Sequence, residues 1–102
     1  MSNHPRYVEG FNGSLDDLAK AIGNMTYDQA ASFLEKLSQD FKRQADGDFK
    51  LGRTQLSSLG YKIADKTLEA SHYAARAWKI SKPYMKCGLE QEYEGDYGLD
   101  GF

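Results

Sequence analysis

A proline-free segment between Asp48 and Lys82 constrains the fold of this 102-residue chain more than any other feature. Asp48 can cap the start of a helix, and Pro83 disfavours helix in the residue before it. The pattern therefore predicts one long helix that ends at Ser81 or Lys82. Over residues 49–82 this helix would be about 51 Å long, at about 1.5 Å per residue. The apolar side of such a long helix has to be covered either by the rest of this short chain or by another molecule.

Apolar and small residues recur at helical spacing along one face of this predicted third helix. Large side chains dominate the first half of the face and small ones the second half, which predicts close approach of another helix near residues 70–77. Gly60 costs roughly 1 kcal/mol relative to alanine inside a helix, and its place on this face predicts close packing as the compensation. The face comprises Phe49, Gly52, Leu56, Leu59, Gly60, Ile63, Thr67, Ala70, Ser71, Ala74, Ala77 and Trp78.

Two shorter helices are predicted upstream of the long one. Ser14 can cap a first helix over residues 14–23. Thr26-Tyr27-Asp28-Gln29 is a capping-box pattern that opens a second, strongly amphipathic helix over residues 26–46. The turn signature Asp46-Gly47-Asp48 ends this helix. No sustained alternation of apolar and polar residues predicts a strand.

The predicted fold class is therefore all-α: a long antiparallel helical hairpin with a short N-terminal helix. Residues 14–86 form the single helical domain, with an irregular N-terminal arm over 1–13 and a flexible acidic tail over 87–102. The second helix covers only about 30 Å of the third. We therefore expect self-association into a dimer or a higher oligomer to complete the fold. The alternative is a monomeric three-helix bundle.

Charge is distributed unevenly along the chain, although the formal net charge is only −2. Residues 1–48 hold five basic and eight acidic residues. Residues 49–86 hold eight basic and two acidic residues, and residues 87–102 hold five acidic residues and no basic one. The predicted third helix is thus a basic rod between two acidic segments.

Basic and tyrosine side chains away from the apolar face form a candidate binding surface on the third helix. Such a surface can bind an acidic protein, or it can hold phosphates and stack on bases, so nucleic-acid or nucleotide binding is the alternative function. A solvated face, with its tyrosines packed against a partner subunit, explains the same pattern. The candidate residues are Tyr61, Lys62, Lys66, Tyr73, Arg76 and Lys79.

The C-terminal tail combines acidic residues, glycines and spaced apolar side chains. That composition is typical of a segment that orders on a basic partner, which would be the protein's own third helix or a groove on another protein. A solubilising terminus is the alternative. The candidate binding residues of the tail are Tyr93, Tyr97 and Phe102.

Residue patterns that bind metals, hold cofactors or activate a nucleophile are absent from the sequence. His4 and His72 lie far apart, and Cys87 is the single cysteine, so we expect no disulfide, metal site, cofactor or catalytic residue. No apolar run approaches the ~20 residues that a membrane-spanning helix needs. Residues 1–10 lack the apolar centre of a signal peptide. We therefore expect a cytoplasmic protein without enzymatic activity.

In size and composition the chain resembles small helical proteins that phages encode as regulators or inhibitors of host defence. The resemblance implies a regulator or inhibitor that acts by binding, and it carries no residue roles. Together with the charge pattern, it predicts a small non-enzymatic interaction protein that binds a macromolecular partner, normally a protein, and blocks or organises it.

Overall fold

A computed structural model describes residues 4–84 of the chain. It contains three α-helices, α1 (Leu15–Gly23), α2 (Tyr27–Lys50) and α3 (Thr54–Ser81), followed by one 3-10 turn over Lys82–Tyr84. No strand occurs among these described residues. The predicted all-α class is confirmed.

The start of α1 follows the sequence pattern closely. Ser14 Oγ accepts a hydrogen bond from the Asp17 amide, and the Asp17 carboxylate accepts one from the Ser14 amide, each at 3.1 Å. This reciprocal pair satisfies two amides that a helix start otherwise leaves without partners. At the start of α2 the predicted box does not form, because the Thr26 hydroxyl donates to the Asp28 side chain instead.

The connection between α2 and α3 lies later in the chain than the turn signature predicts. Asp46-Gly47-Asp48 continues the helix, and α2 ends at Lys50. The chain reverses over residues 51–53, where Gly52 has a φ of 80°. Glycine adopts this left-handed conformation without the steric cost that a side chain imposes. Phe49, predicted on the third helix, therefore belongs to α2.

The helices α2 and α3 run antiparallel and pack along their lengths. We call the contact row between them the seam. Its positions recur every three and four residues on both helices, which is the spacing of a coiled-coil contact. The buried residues of the described chain are all small and all fall on this spacing: Ser38, Ala45, Ser57, Ala64, Ser71 and Ser81.

The two helices approach each other closely at Gly60. A Cβ atom built on Gly60 would lie 2.9 Å from the Cβ of Ala45, which is closer than two carbon atoms can pack. Ala45 is 1% exposed. The prediction that Gly60 allows close packing is confirmed. Glycine is less favourable than alanine inside a helix, but here its missing side chain lets the two backbones come together.

Three of the four buried serines of the seam satisfy their own hydroxyl groups, whereas the buried Ser81 hydroxyl has no hydrogen-bond partner among the described residues. Ser38 donates to the carbonyl of Glu35 at 2.8 Å, and Ser71 donates to that of Leu68 at 2.7 Å. Ser57 does the same with the carbonyl of Thr54 at 3.1 Å. Because each of these three bonds stays within its own helix, serine takes the place of alanine at Ser38, Ser57 and Ser71 without leaving a buried hydroxyl unpaired.

The single apolar face predicted for the third helix divides into two in the structure. Gly60, Ser71, Ala74 and Trp78 lie in the seam, where they are buried or half-buried. The large residues of the predicted face lie to one side of the seam: Leu56 is 52% exposed, Leu59 is 57% exposed and Ile63 is 46% exposed. Large side chains at this point of contact would hold the two backbones further apart than they are at Gly60 and Ala45.

The N-terminal part contributes little to the α2–α3 pair, since α1 makes no extensive contact with either helix. Residues 4–13 contain neither helix nor strand. Phe11 is half-buried and lies against Gly13, where it and Leu18 line a shallow groove. The described molecule measures 50 × 32 × 17 Å, so the fold is a thin slab.

Candidate interaction surfaces of the third helix

The six candidate residues on α3 do not form one surface. Successive residues of a helix are rotated by about 100°, and the seam gives the reference direction. Lys62 and Arg76 then lie on the side of α3 turned away from α2. Tyr61 and Lys79 lie on one flank of the seam, while Lys66 and Tyr73 lie towards the opposite flank.

Tyr61 is tied to the other helix of the pair. It is half-buried, and its hydroxyl donates a hydrogen bond to the carboxylate of Asp46 on α2. The same carboxylate lies 3.2 Å from the Nζ atom of Lys42. The hydrogen bond from Tyr61, followed by that from Lys42, lowers the pKa of Asp46, and the bond to Asp46 raises the pKa of Tyr61. Tyr61 thus joins α2 to α3.

We expect the Tyr61→Phe variant to lose part of the pH dependence of stability. The lowered pKa of Asp46 means that its contribution is present above about pH 4 and is lost as the pH falls through the folded-state pKa. The raised pKa of Tyr61 means that its contribution is present below about pH 10 and is lost as the pH rises through its folded-state value. Urea unfolding across pH should show both losses in the wild type and smaller ones in the variant.

The Tyr73→Phe variant is the matched control for this measurement, because Tyr73 is exposed and lies on the other side of α3. It should keep the acid loss that belongs to Asp46. Equal acid losses in the wild type and in Tyr61→Phe would show that the hydrogen bond between the two helices contributes nothing to stability.

The outward side of α3 carries basic, aromatic and acidic groups in close proximity. The Arg76 guanidinium lies 5.5 Å from the centre of the Tyr73 ring, a cation–π arrangement that presents both groups together. Lys66 Nζ lies 3.7 Å from a Glu69 carboxylate oxygen, and both side chains are largely exposed. We call Lys62, Arg76 and Tyr73 the basic patch. It can receive carboxylates or phosphates and stack on a planar group.

A second row of residues runs along α3 with the same spacing as the seam. Each of its residues comes one position before a seam residue. Its members again recur every three and four residues, and its large apolar side chains are exposed. We call it the outer row of α3: Leu56, Leu59, Ile63, Lys66, Ala70, Tyr73, Ala77 and Ile80.

The corresponding positions on α2 form a shorter outer row. Its first half is apolar and partly exposed, with Phe33 at 36%. The carboxylate of Asp40 is the one charge in this row; it accepts hydrogen bonds from Gln44 at 2.7 Å and from Arg43 at 3.0 Å. These bonds, that from Gln44 first, lower the pKa of Asp40. The outer row of α2 comprises Ala30, Phe33, Leu37, Asp40, Gln44 and Gly47.

Sequence reasoning missed the separation of these rows. The signal that identifies them is the repetition of small residues at Ser57, Ala64 and Ser71, seven residues apart, next to large residues at Leu56 and Ile63. A row of small side chains permits a close helix pair, whereas the adjacent large row is available for another contact.

Among residues 4–84, no group of three or more histidine, cysteine, aspartate or glutamate side chains is placed to hold a metal ion. Within the same range, none of the helices combines the length and apolarity needed to cross a membrane. Cys87 and the tail candidates Tyr93, Tyr97 and Phe102 lie outside the described residues.

Comparisons with protein-family models, with curated proteins and with solved structures found no match to this chain. The residues of the structure therefore carry the functional argument by themselves.

Proposed function

We propose that the protein is a small non-enzymatic interaction protein that binds an acidic protein partner through the basic patch of α3, and thereby blocks or organises that partner. The observation that carries the proposal is that Lys62 and Arg76 lie on the side of α3 turned away from α2, with the exposed Tyr73 ring beside Arg76. Lys62 and Arg76 are both exposed. Basic and aromatic groups on an exposed helix side are typical of a surface that recognises charge and shape together.

An acidic protein is favoured over nucleic acid because of the neighbouring carboxylates. Glu69 lies between Lys62 and Arg76 on the same side of α3, and Asp65 lies next to it along the helix. Binding to a phosphate backbone depends on accumulated positive charge, which these carboxylates oppose. A protein surface can pair basic and acidic groups at the same time. Nucleic-acid binding remains the competing hypothesis for the experiment.

We also propose that the protein self-associates. Support comes from the thinness of its interior: within residues 4–84, no large side chain is fully buried, and the buried apolar residues are Ala45 and Ala64. Large apolar side chains that a single chain leaves in water are commonly covered by a partner.

Reversing two charges of the basic patch should weaken partner binding. We expect immobilised wild-type protein to retain a defined protein from a nuclease-treated lysate of its source cells. The Lys62→Glu and Arg76→Glu double variant should retain it about tenfold less, because like charges then meet across the contact. Quantitative mass spectrometry of the retained proteins measures the difference.

The matched control is the Lys20→Glu and Lys36→Glu double variant, which has the same net charge but carries its changes on α1 and α2. It should bind like the wild type. Equal retention by all three proteins would refute the basic patch as the binding surface. A labelled oligonucleotide that binds the wild type at low salt, and not the patch variant, would replace the protein-partner proposal with nucleic-acid binding.

A further inference from the structure

We propose that a second copy of the chain covers the outer rows of α2 and α3, in a four-helix dimer where α2 of each copy lies on α3 of the other. This inference rests on the proposed self-association and names its surface and its arrangement. It shares only Tyr73 with the basic patch, because Lys62 and Arg76 lie outside the outer rows.

The two outer rows lie on the same face of the α2–α3 pair. Tyr61 follows the seam residue Gly60, Asp46 follows the seam residue Ala45, and the two side chains are hydrogen-bonded. In this antiparallel pair, residues that come one position after a seam residue therefore lie on the same side of the pair, whichever helix they belong to. Leu56 and Leu37 precede the seam residues Ser57 and Ser38, so the outer rows share the opposite side.

The spacing and size of this face suit a second helix pair. Both outer rows repeat every three and four residues, the spacing that lets side chains of facing helices interlock. The face is about 36 Å long, the length of α2, and about 20 Å wide across two helices. It would bury about 1,400 Å² over both copies, within the range of stable interfaces.

Charge decides which helices face each other across the dimer. The described α2 carries one more acidic than basic residue, whereas α3 carries two more basic than acidic residues. Two copies related by an axis parallel to the helices place α2 on α3 of the partner, with every neighbour antiparallel. An axis perpendicular to the helices would place the basic α3 on its own copy instead, which like charges oppose.

The same arrangement brings together the one charged residue of each outer row. Ala45 lies beside Gly60, which fixes the register of the two antiparallel helices. Five residues back along α2 and five residues forward along α3, Asp40 is therefore level with Asp65. Lys66 is the next residue of α3, so it lies about 1.5 Å from that level along the helix axis. An axis parallel to the helices preserves these heights. Asp40 of one copy therefore meets Lys66 of the partner subunit, and the Phe33 ring meets Tyr73 of the partner subunit.

The test is the molar mass of the full chain by sedimentation equilibrium, combined with charge reversal. We expect a wild-type mass twice the 11.5 kDa of one chain. The variants Lys66→Asp and Asp40→Lys should each weaken the dimer about tenfold or more, and the double variant should restore it. Ile63→Lys should give a monomer, and Lys62→Glu, which lies outside the outer row, should leave the dimer unchanged.

Each other result overturns a defined part of the argument. A wild-type monomer at all concentrations would refute both the dimer and the proposed self-association. A dimer that Ile63→Lys leaves intact would refute this face while self-association stands, and a double variant that stays weak would refute the Asp40–Lys66 pairing. Circular dichroism shows whether each variant is helical. A urea midpoint that rises with wild-type concentration provides a second measure of dimerisation.

Discussion

Replacing Gly60 with leucine is expected to lower the free energy of unfolding by about 2 kcal/mol. Leucine removes the helix cost of glycine, which is a gain of about 1 kcal/mol. It also forces four side-chain carbons into a contact where even one Cβ would lie 2.9 Å from the Cβ of Ala45. Overpacking of this kind costs about 3 kcal/mol because the backbones have to separate, and the loss exceeds the gain.

Alanine at Gly60 gives a finer measurement with a matched control at Gly47. Both glycines lie inside helices, but a Cβ at Gly47 meets no atom within 4 Å. Gly47→Ala should therefore stabilise the protein by about 1 kcal/mol. Gly60→Ala should destabilise it, because the rigid Ala45 cannot give way. Urea unfolding at one protein concentration decides between them, and equal stabilisation by both changes would refute the close approach of α2 and α3.

Replacing Phe41 with alanine is expected to lower the free energy of unfolding by about 2 kcal/mol. Phe41 is half-buried and occupies a seam position on α2, level with Ala64 of α3. Removing a fully buried phenylalanine ring costs about 3–5 kcal/mol, and partial exposure reduces that value. The small residues on α3 cannot extend into the space that the ring leaves, so the cavity remains.

Phe49 is the matched control for this change, since it lies on the same helix and is 60% exposed. Phe49→Ala should change the free energy of unfolding by no more than about 0.5 kcal/mol. The two variants differ only in where the ring is removed. A similar loss in both, measured by urea unfolding followed by circular dichroism, would place the stabilising contacts of α2 outside the seam.

Local signals predicted the helices well where a short-range interaction decides the outcome. Ser14 caps α1 through Asp17 as predicted, and α3 ends at Ser81, two residues before Pro83. The turn after α2 was predicted too early because Asp46-Gly47-Asp48 has the composition of a turn. In the structure these three residues lie inside α2, and the chain reverses only over residues 51–53, where Gly52 has a φ of 80°.

The candidate binding residues of the third helix were predicted as one basic surface. Their residue types identified a basic, aromatic helix, and the structure distributes them around it. Tyr61 turns towards α2, while Arg76 stacks on Tyr73. Lys66 stands in the outer row between Ile63 and Ala70. Distribution around a helix depends on which side faces its neighbour, and periodicity alone does not decide that.

The sequence by itself determined that this protein is all-α, where its helices start and stop to within about five residues, and that the last helix carries more basic than acidic residues. Only the tertiary structure decided which of two apolar rows on α3 faces α2. Both rows have the spacing of a helix contact, so the pattern admits either. The small row forms the seam because Gly60 and Ala45 let the two backbones approach closely, and this leaves Leu56, Leu59 and Ile63 exposed on the surface of a single chain.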